Sequence, residues 1–279
     1  MSGAAGDLRG RVAIVTGASR GIGRETSVLL AYAGASILLV ARGASDLRTV
    51  ADACNAAIAT AGEPPSGATV STLAIDITDD GAAERIAAAA SELAAPGADI
   101  LVNNAGASAI REIEEVPLAD WRAAFELNVI APKLLMDATV PAMAERGWGR
   151  VVNVASTAGK RPTGSMPEYS VAKAAQLSLS RLYADRWASA GVAINAVCPG
   201  PVKSEMWMDQ DGLLDQTVAA GGHDDRDDAL AAVGAKRPIG RLAEVEEIAP
   251  AIAFLCSPAA SYVAGAAWSV DGGTVQVII

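Results

Sequence analysis

Histidine occurs once in these 279 residues, at His223, which excludes a metal site built from clustered histidines. Cysteine occurs three times, at Cys54, Cys198 and Cys256, far apart and never as CxxC. That spacing suggests neither a disulfide framework nor a zinc site. The three thiols are expected as small buried apolar groups. Aromatic residues make up only 4%, so the core must be built mainly from Ala, Val, Leu and Ile. Basic charge is short: 22 Lys and Arg stand against 32 Asp and Glu, a net charge of −10. This argues against a nucleic-acid partner and against a polybasic membrane surface. Long hydrophobic runs are missing too. The most apolar stretch, 28–41, contains Gly34 and Ser36 and is too short to span a bilayer. Residues 1–10 carry no hydrophobic signal core, and a cytoplasmic location is expected. There is no internal repeat and no heptad pattern.

What the chain does have is 51% apolar residues in a regular alternation. Short apolar runs at 12–16, 37–40, 70–75, 100–102, 151–155, 193–197 and 267–270 suit strands buried on both faces of a parallel sheet. Helical patterns at 22–33, 45–60, 80–95, 118–145, 168–190 and 245–255 separate them. The expectation is a single α/β domain over 1–279, a doubly wound Rossmann fold with a parallel seven-stranded sheet. Ligands then sit beyond the carboxyl ends of the strands. Two segments break the rhythm. Residues 62–67 read as a surface loop. Residues 203–237 are longer and turn acidic from Asp209 to Asp228, which suggests a solvated, mobile segment.

A glycine turn, Gly17-Ala18-Ser19-Arg20-Gly21-Ile22-Gly23, follows the first strand and opens the first helix. Glycines there give a tight turn and let backbone N–H groups at a helix N-terminus approach a pyrophosphate. The spacing is GxxxGxG rather than GxGxxG. The second strand ends at Ala41-Arg42, with no carboxylate where a ribose diol would be held. Arg20 and Arg42 can instead fork around a 2′-phosphate, which favours NADP(H) over NAD(H). Asp76, with Ile77 beside it, is a candidate for the adenine amino group.

Tyr169 and Lys173 stand four apart in a helical run, on one face. Ser156 lies thirteen residues upstream of Tyr169, just past the fifth apolar run. A phenol beside an ammonium is expected to be more acidic than its ordinary value and to serve as general acid or base. Ser156 would hold a substrate oxygen. Tyr183 and Tyr262, which lack a lysine four residues on, read as packing tyrosines.

With Thr16-Gly17-x-x-x-Gly21-x-Gly23, Asn103-Asn104-Ala105-Gly106, Asn128, Ser156, Tyr169-x-x-x-Lys173, Pro199-Gly200 and Asp271-Gly272-Gly273 in this order, the chain resembles the short-chain dehydrogenases/reductases. Its nearest likeness is to the 3-oxoacyl-carrier-protein reductase type. The resemblance runs from about residue 8 to residue 273. It implies that Asn103 steadies the sheet and that Asn104, Ala105 and Gly106 lie near adenine and ribose. It implies that Asn128 holds a proton-relay water and that Lys173 binds the nicotinamide ribose. Pro199, Gly200 and Val202 would border the nicotinamide. Ser204 stands where the family has a threonine that touches the cofactor phosphates. The resemblance also implies a homotetramer paired through the helices at 118–145 and 168–190, and a substrate lid at 203–237.

Met206, Trp207 and Met208 would give that lid an apolar, adaptable wall. The acids behind them would repel an acidic acyl carrier protein, so a small carbonyl or alcohol substrate is favoured over a carrier-bound acyl chain. A 3-oxoacyl-carrier-protein reductase, and a catalytically silent nucleotide sensor on the same fold, are the alternatives. Lys160 and Arg161 are expected as a solvated pair. The apolar tail at 277–279 is expected to pack on a neighbouring subunit.

Overall fold

The computed structural model describes residues 6–61, 68–94 and 96–276. The expected loop at 62–67, the end of the third helix at Ala95 and the tail at 277–279 lie outside the described residues. The described strands are β1 (Val12–Thr16), β2 (Ser36–Ala41), β3 (Val70–Ala74), β4 (Ile100–Asn103), β5 (Gly149–Val154), β6 (Val192–Pro199) and β7 (Ala267–Val270). All pair in parallel, in the order β3-β2-β1-β4-β5-β6-β7. The order reverses between β1 and β4, where Val15 pairs with Val102. A crevice opens at such a reversal, because successive crossovers leave it in opposite directions.

Alternate side chains of each strand enter opposite layers, as the two-residue period demands. Ala13, Val15, Ile37 and Leu39 pack against Leu30, Leu47, Val50, Ile248 and Ile252. These belong to α1 (Gly21–Tyr32), α2 (Ala44–Thr60) and α10 (Val245–Cys256). Val12, Ile14, Leu38 and Val40 pack against Ile86, Leu135, Met136, Val140 and Ala184. These belong to α3 (Ala82–Leu93), α5 (Ala131–Glu145) and α6 (Pro167–Trp187). The expectation of strands buried on both faces holds for β1, β2, β4, β5 and β6. It does not hold for β3 and β7, whose residues are half-buried or exposed because they close the two edges. Cys54, Cys198 and Cys256 are free and buried. Burial pushes the Cys54 and Cys256 thiols up to about 12.

The helix expected over 118–145 is three pieces in one run: α4 (Leu118–Phe125), a π-turn (Glu126–Ile130) and α5. The widened turn admits one extra residue, and Asn128 within it is fully buried. Residues 203–237 fold into α7 (Glu205–Met208), α8 (Leu213–Ala219) and α9 (Arg226–Ala235). Their acids are tied rather than merely solvated. Asp215 pairs with Arg226, Asp225 caps α9 by accepting from Asp228 N at 2.9 Å, and Asp228 meets His223 at 3.1 Å. Tyr262 is not a packing tyrosine: it is fully exposed, in the turn after the last helix. Tyr183 packs against the second core layer and donates to Asp137. Among the described residues no helix is long and apolar enough to cross a membrane.

Candidate active site

A cleft of about 1800 Å³ lies at the carboxyl ends of β1, β2, β4, β5 and β6. Its walls include Gly17, Ser19, Arg20, Gly21, Ile22, Arg42, Asp76, Ile77, Asn104, Ala105 and Gly106 on one side. Ser156, Tyr169, Lys173, Pro199, Gly200, Val202 and Ser204 complete it on the other. The fold thus gathers these sequence-predicted residues into one space. Gly23 and Asn128 stand just behind the wall, both buried.

The glycine turn is shaped by close backbone approach. Gly17 has φ of +63°. A β-carbon on it would stand 2.8 Å from Ala105 Cα, and one on Gly23 would stand 2.3 Å from Gly17 O. Either substitution forces the turn apart. Asn104 Nδ2 donates to Thr16 O at 3.0 Å and to Gly17 O at 3.1 Å, locking β4 to the turn. The N-cap of α1 makes no side-chain hydrogen bond, and its first turn holds no acid. Free N–H groups and a positive helix end therefore face the cleft. These features fit a dinucleotide pyrophosphate.

Beyond the turn, Arg42 is exposed at the rim, with Nη1 3.9 Å from Asp76 Oδ2. The Asp76 carboxylate accepts from Thr78 N at 3.0 Å and Thr78 Oγ1 at 2.7 Å. Those bonds hold its pKa below the usual carboxylate value. Arg20 Nη1 lies 3.0 Å from Asp209 Oδ2. The two arginines both line the cleft, yet each faces a carboxylate of the chain itself.

On the other wall, Ser156 caps a short 3₁₀ turn, its Oγ accepting from Ala158 N at 3.1 Å. Lys173 is 2% exposed and donates to Val154 O at 2.8 Å and Gln176 Oε1 at 3.0 Å. Its Nζ lies 5.5 Å from the centre of the Tyr169 ring. Burial brings the lysine down to about 7. Burial also pushes Tyr169 up to about 12, with Ser156 pulling in the other direction. This corrects the expectation of an acidified phenol. Desolvation outweighs the Ser156 hydrogen bond, and Lys173, engaged by Val154 and Gln176, does not offset it.

Asn128 Nδ2 donates to Ala124 O at 2.9 Å, while its Oδ1 is buried without a partner. A β-carbon on Gly106 would stand 3.5 Å from that oxygen and 3.7 Å from Lys173 Nζ. Glycine at 106 keeps the space between amide and ammonium open. Pro199 ends β6, and a β-carbon on Gly200 would stand 3.1 Å from Asp271 Cα. Val202 bridges to Ala243, and Ser204 precedes α7 as its N-cap. Lys160 is not solvated with Arg161. It donates to Ala267 O at 2.6 Å and Ser269 Oγ at 3.0 Å, tying the loop after β5 to β7.

Asn103 ties β4 to β5 as the resemblance implied, Nδ2 donating to Asn153 Oδ1 at 2.8 Å, but its supports escaped the sequence: Asn153 Nδ2 donates in turn to Ser180 Oγ at 2.8 Å, all buried. Gln176 then holds Lys173. A signal existed for the last of these: Gln176 is three residues on from Lys173, on the same helix face. Among the described residues no group of three or more His, Cys, Asp or Glu side chains could hold a metal ion.

A glycine turn at the sheet's reversal faces a half-buried tyrosine and a buried lysine across one cleft, and with the family match that follows, the class is an oxidoreductase acting on CH–OH groups. The family model described as short chain dehydrogenase matches residues 11–212, and the chain belongs to that family. It is 37% identical over 272 residues to cis-4-hydroxycyclohexanecarboxylate dehydrogenase of Sinomonas cyclohexanicum, covering 96% of this chain and 97% of the relative. It is 32% identical to the 3-oxoacyl-[acyl-carrier-protein] reductase of Vibrio cholerae, covering 97% and 100%. The L-sorbose reductase of Gluconobacter frateurii, solved with NADPH and L-sorbose, superposes with a TM-score of 0.86 at 30% identity, covering 99% and 100%.

Proposed function

We propose that the protein transfers a hydride between NADP(H) and a small ketone or secondary alcohol, with Tyr169 as general acid and base. The observation that carries this is the convergence of Ser156, Tyr169 and Lys173 on the cleft that the glycine turn also lines. When bound, the cofactor supplies the hydride to the carbonyl carbon or accepts it from the alcohol. Gly17, Gly21 and the first turn of α1 would hold its pyrophosphate. Tyr169, whose high pKa keeps it protonated near neutral pH, donates its proton to the carbonyl oxygen in reduction. Ser156 Oγ steadies the charge that develops on that oxygen. In oxidation the tyrosine must lose its proton first, and a positive charge on Lys173 favours that state. Asn128 Oδ1, aimed into the space beside Lys173, is suited to pass protons between the lysine and solvent through water.

The absence of a carboxylate at the end of β2, with Arg42 there instead, supports NADP(H). Arg42→Ala is expected to weaken NADPH binding and leave NADH binding nearly unchanged. A charge-assisted hydrogen bond of about 1.5–3 kcal/mol is at stake. Equal loss for both cofactors in a fluorescence titration would show that Arg42 reads something else.

The acidic segment 203–237 suits a lid over a small substrate, with Met206 and Trp207 lining the cleft as expected and Leu213, rather than Met208, beside them. Its charge disfavours an acidic carrier protein. Turnover of NADPH and NADH against ketones, and of NADP and NAD against alcohols, tests the whole reading. No turnover with any pair would leave a nucleotide-binding protein without catalysis.

Assembly follows from the outer helices. Leu118 at 63% exposed, Leu134 at 43% and Leu182 at 67% leave apolar surface on α4, α5 and α6. Pairing of these helices between copies would cover it, and a homotetramer is the expected state. Multi-angle light scattering at micromolar concentration checks this, and a monomer there would refute it.

A further inference from the structure

Two carboxylates from the segment after β6 reach the cradle formed by the glycine turn. Glu205 opens α7, and its Oε2 lies 3.2 Å from where a β-carbon on Gly21 would stand. Gly21 is the first residue of α1. That helix has no acid in its first turn and no side-chain cap, so Glu205 brings negative charge to an N-terminus that has none of its own. One turn later, Asp209 N donates to Glu205 O at 3.0 Å. Asp209 Oδ2 then accepts from Arg20 Nη1 at 3.0 Å. The segment is braced behind this pair. Arg226 Nη2 donates to Met208 O at 2.6 Å, and Gln216 Oε1 accepts from Ile110 N at 2.8 Å.

Carboxylate and phosphate compete for the same donors: helix N-termini and guanidinium groups. We propose that Glu205 and Asp209 form an acidic latch that stands in for the cofactor's phosphates and must be displaced when the dinucleotide binds. Glu205 takes the place of the pyrophosphate, and Asp209 takes the place of the 2′-phosphate on Arg20. The latch sets cofactor affinity, and through Asp209 it sets how strongly the 2′-phosphate is rewarded. Displacement also frees α7 to move, which couples cofactor entry to the position of Met206 and Trp207 in the same cleft. The inference rests on the cleft being the cofactor site and, for Asp209, on Arg20 reading a 2′-phosphate.

The test is calorimetric titration of the purified protein with NADPH and with NADH, without substrate. Glu205→Gln is expected to tighten both dinucleotides alike, by roughly two- to fivefold, the span for a charge at a helix end. Asp209→Asn is expected to tighten NADPH by roughly two- to fivefold, the span for an exposed ion pair, and NADH hardly at all. Both gains should shrink at high salt. Unchanged or weaker binding in Glu205→Gln overturns the latch. Equal gains for both dinucleotides, or none, in Asp209→Asn overturn its part in selectivity. A wild-type protein that binds NADH more tightly than NADPH would refute the NADP(H) reading by itself. The Glu205→Gln titration with NADH still decides the latch in that event.

Discussion

Tyr169→Phe is expected to lower kcat by at least roughly 10²-fold, the low end for loss of general acid–base catalysis. The ring stays and the proton goes. Lys173 keeps its bonds to Val154 O and Gln176 Oε1, neither of which involves the phenol. Dinucleotide binding should therefore survive, and the melting temperature should hold. The loss should fall on kcat rather than KM, because the proton is needed only as the substrate oxygen gains charge. Steady-state kinetics in the reductive direction, with cofactor binding measured separately, checks this. Near wild-type turnover would remove Tyr169 from the mechanism.

Lys173→Met should be as damaging to turnover, again at least roughly 10²-fold, and it carries a second signature in stability. The native lysine titrates at about 7, and the unfolded one at its ordinary value near 10.4. Between these values the unfolded chain binds more protons than the native one. The lysine's contribution to stability therefore rises with pH across that window, and the cost of the buried charge is greatest below pH 7. From pH 7 to pH 9 the gain relative to Lys173→Met should be roughly 2 kcal/mol. Burial of Tyr169 and Cys198 acts the opposite way, but only as pH approaches the ordinary pKa values of phenol and thiol. Both groups remain in the variant, so the difference between the two proteins isolates the lysine. Parallel denaturant curves at several pH values would show it, and curves that keep a constant gap would mean the lysine is charged in the native state throughout.

The sequence reveals the frame because the frame depends on local pattern. β1 and β7 coincide with their apolar runs, and the glycine turn is set by backbone contacts that only glycine allows at Gly17 and Gly23. The tyrosine and lysine are found by helical spacing. What escaped depends on distance across the chain. The Asn103–Asn153 bond joins residues fifty positions apart, and no single-chain pattern reports it. The balance of burial against charge at Tyr169 depends on how deeply the strand ends enclose it. The helices of 203–237 were hidden by their aspartates, which look like solvated loop until Asp225 is seen capping α9 and Asp215 is seen facing Arg226. The π-turn at Asn128 looks in sequence like continuous helix, since one added residue leaves the apolar pattern nearly intact.

The column of buried amides behind Lys173 separates what can change from what cannot. Asn103, Asn153 and Ser180 link β4, β5 and α6, and Ser180 Oγ donates to Gln176 O at 2.8 Å, the residue that holds the lysine. None of these groups belongs to 203–237. Lys173 is aligned by the scaffold, and the proposed substrate wall lies in a separate segment. Such a division lets a lineage exchange one part without retuning the other. A chimera carrying a relative's segment in place of 203–237 would take on a new substrate range while its proton chemistry stays in register.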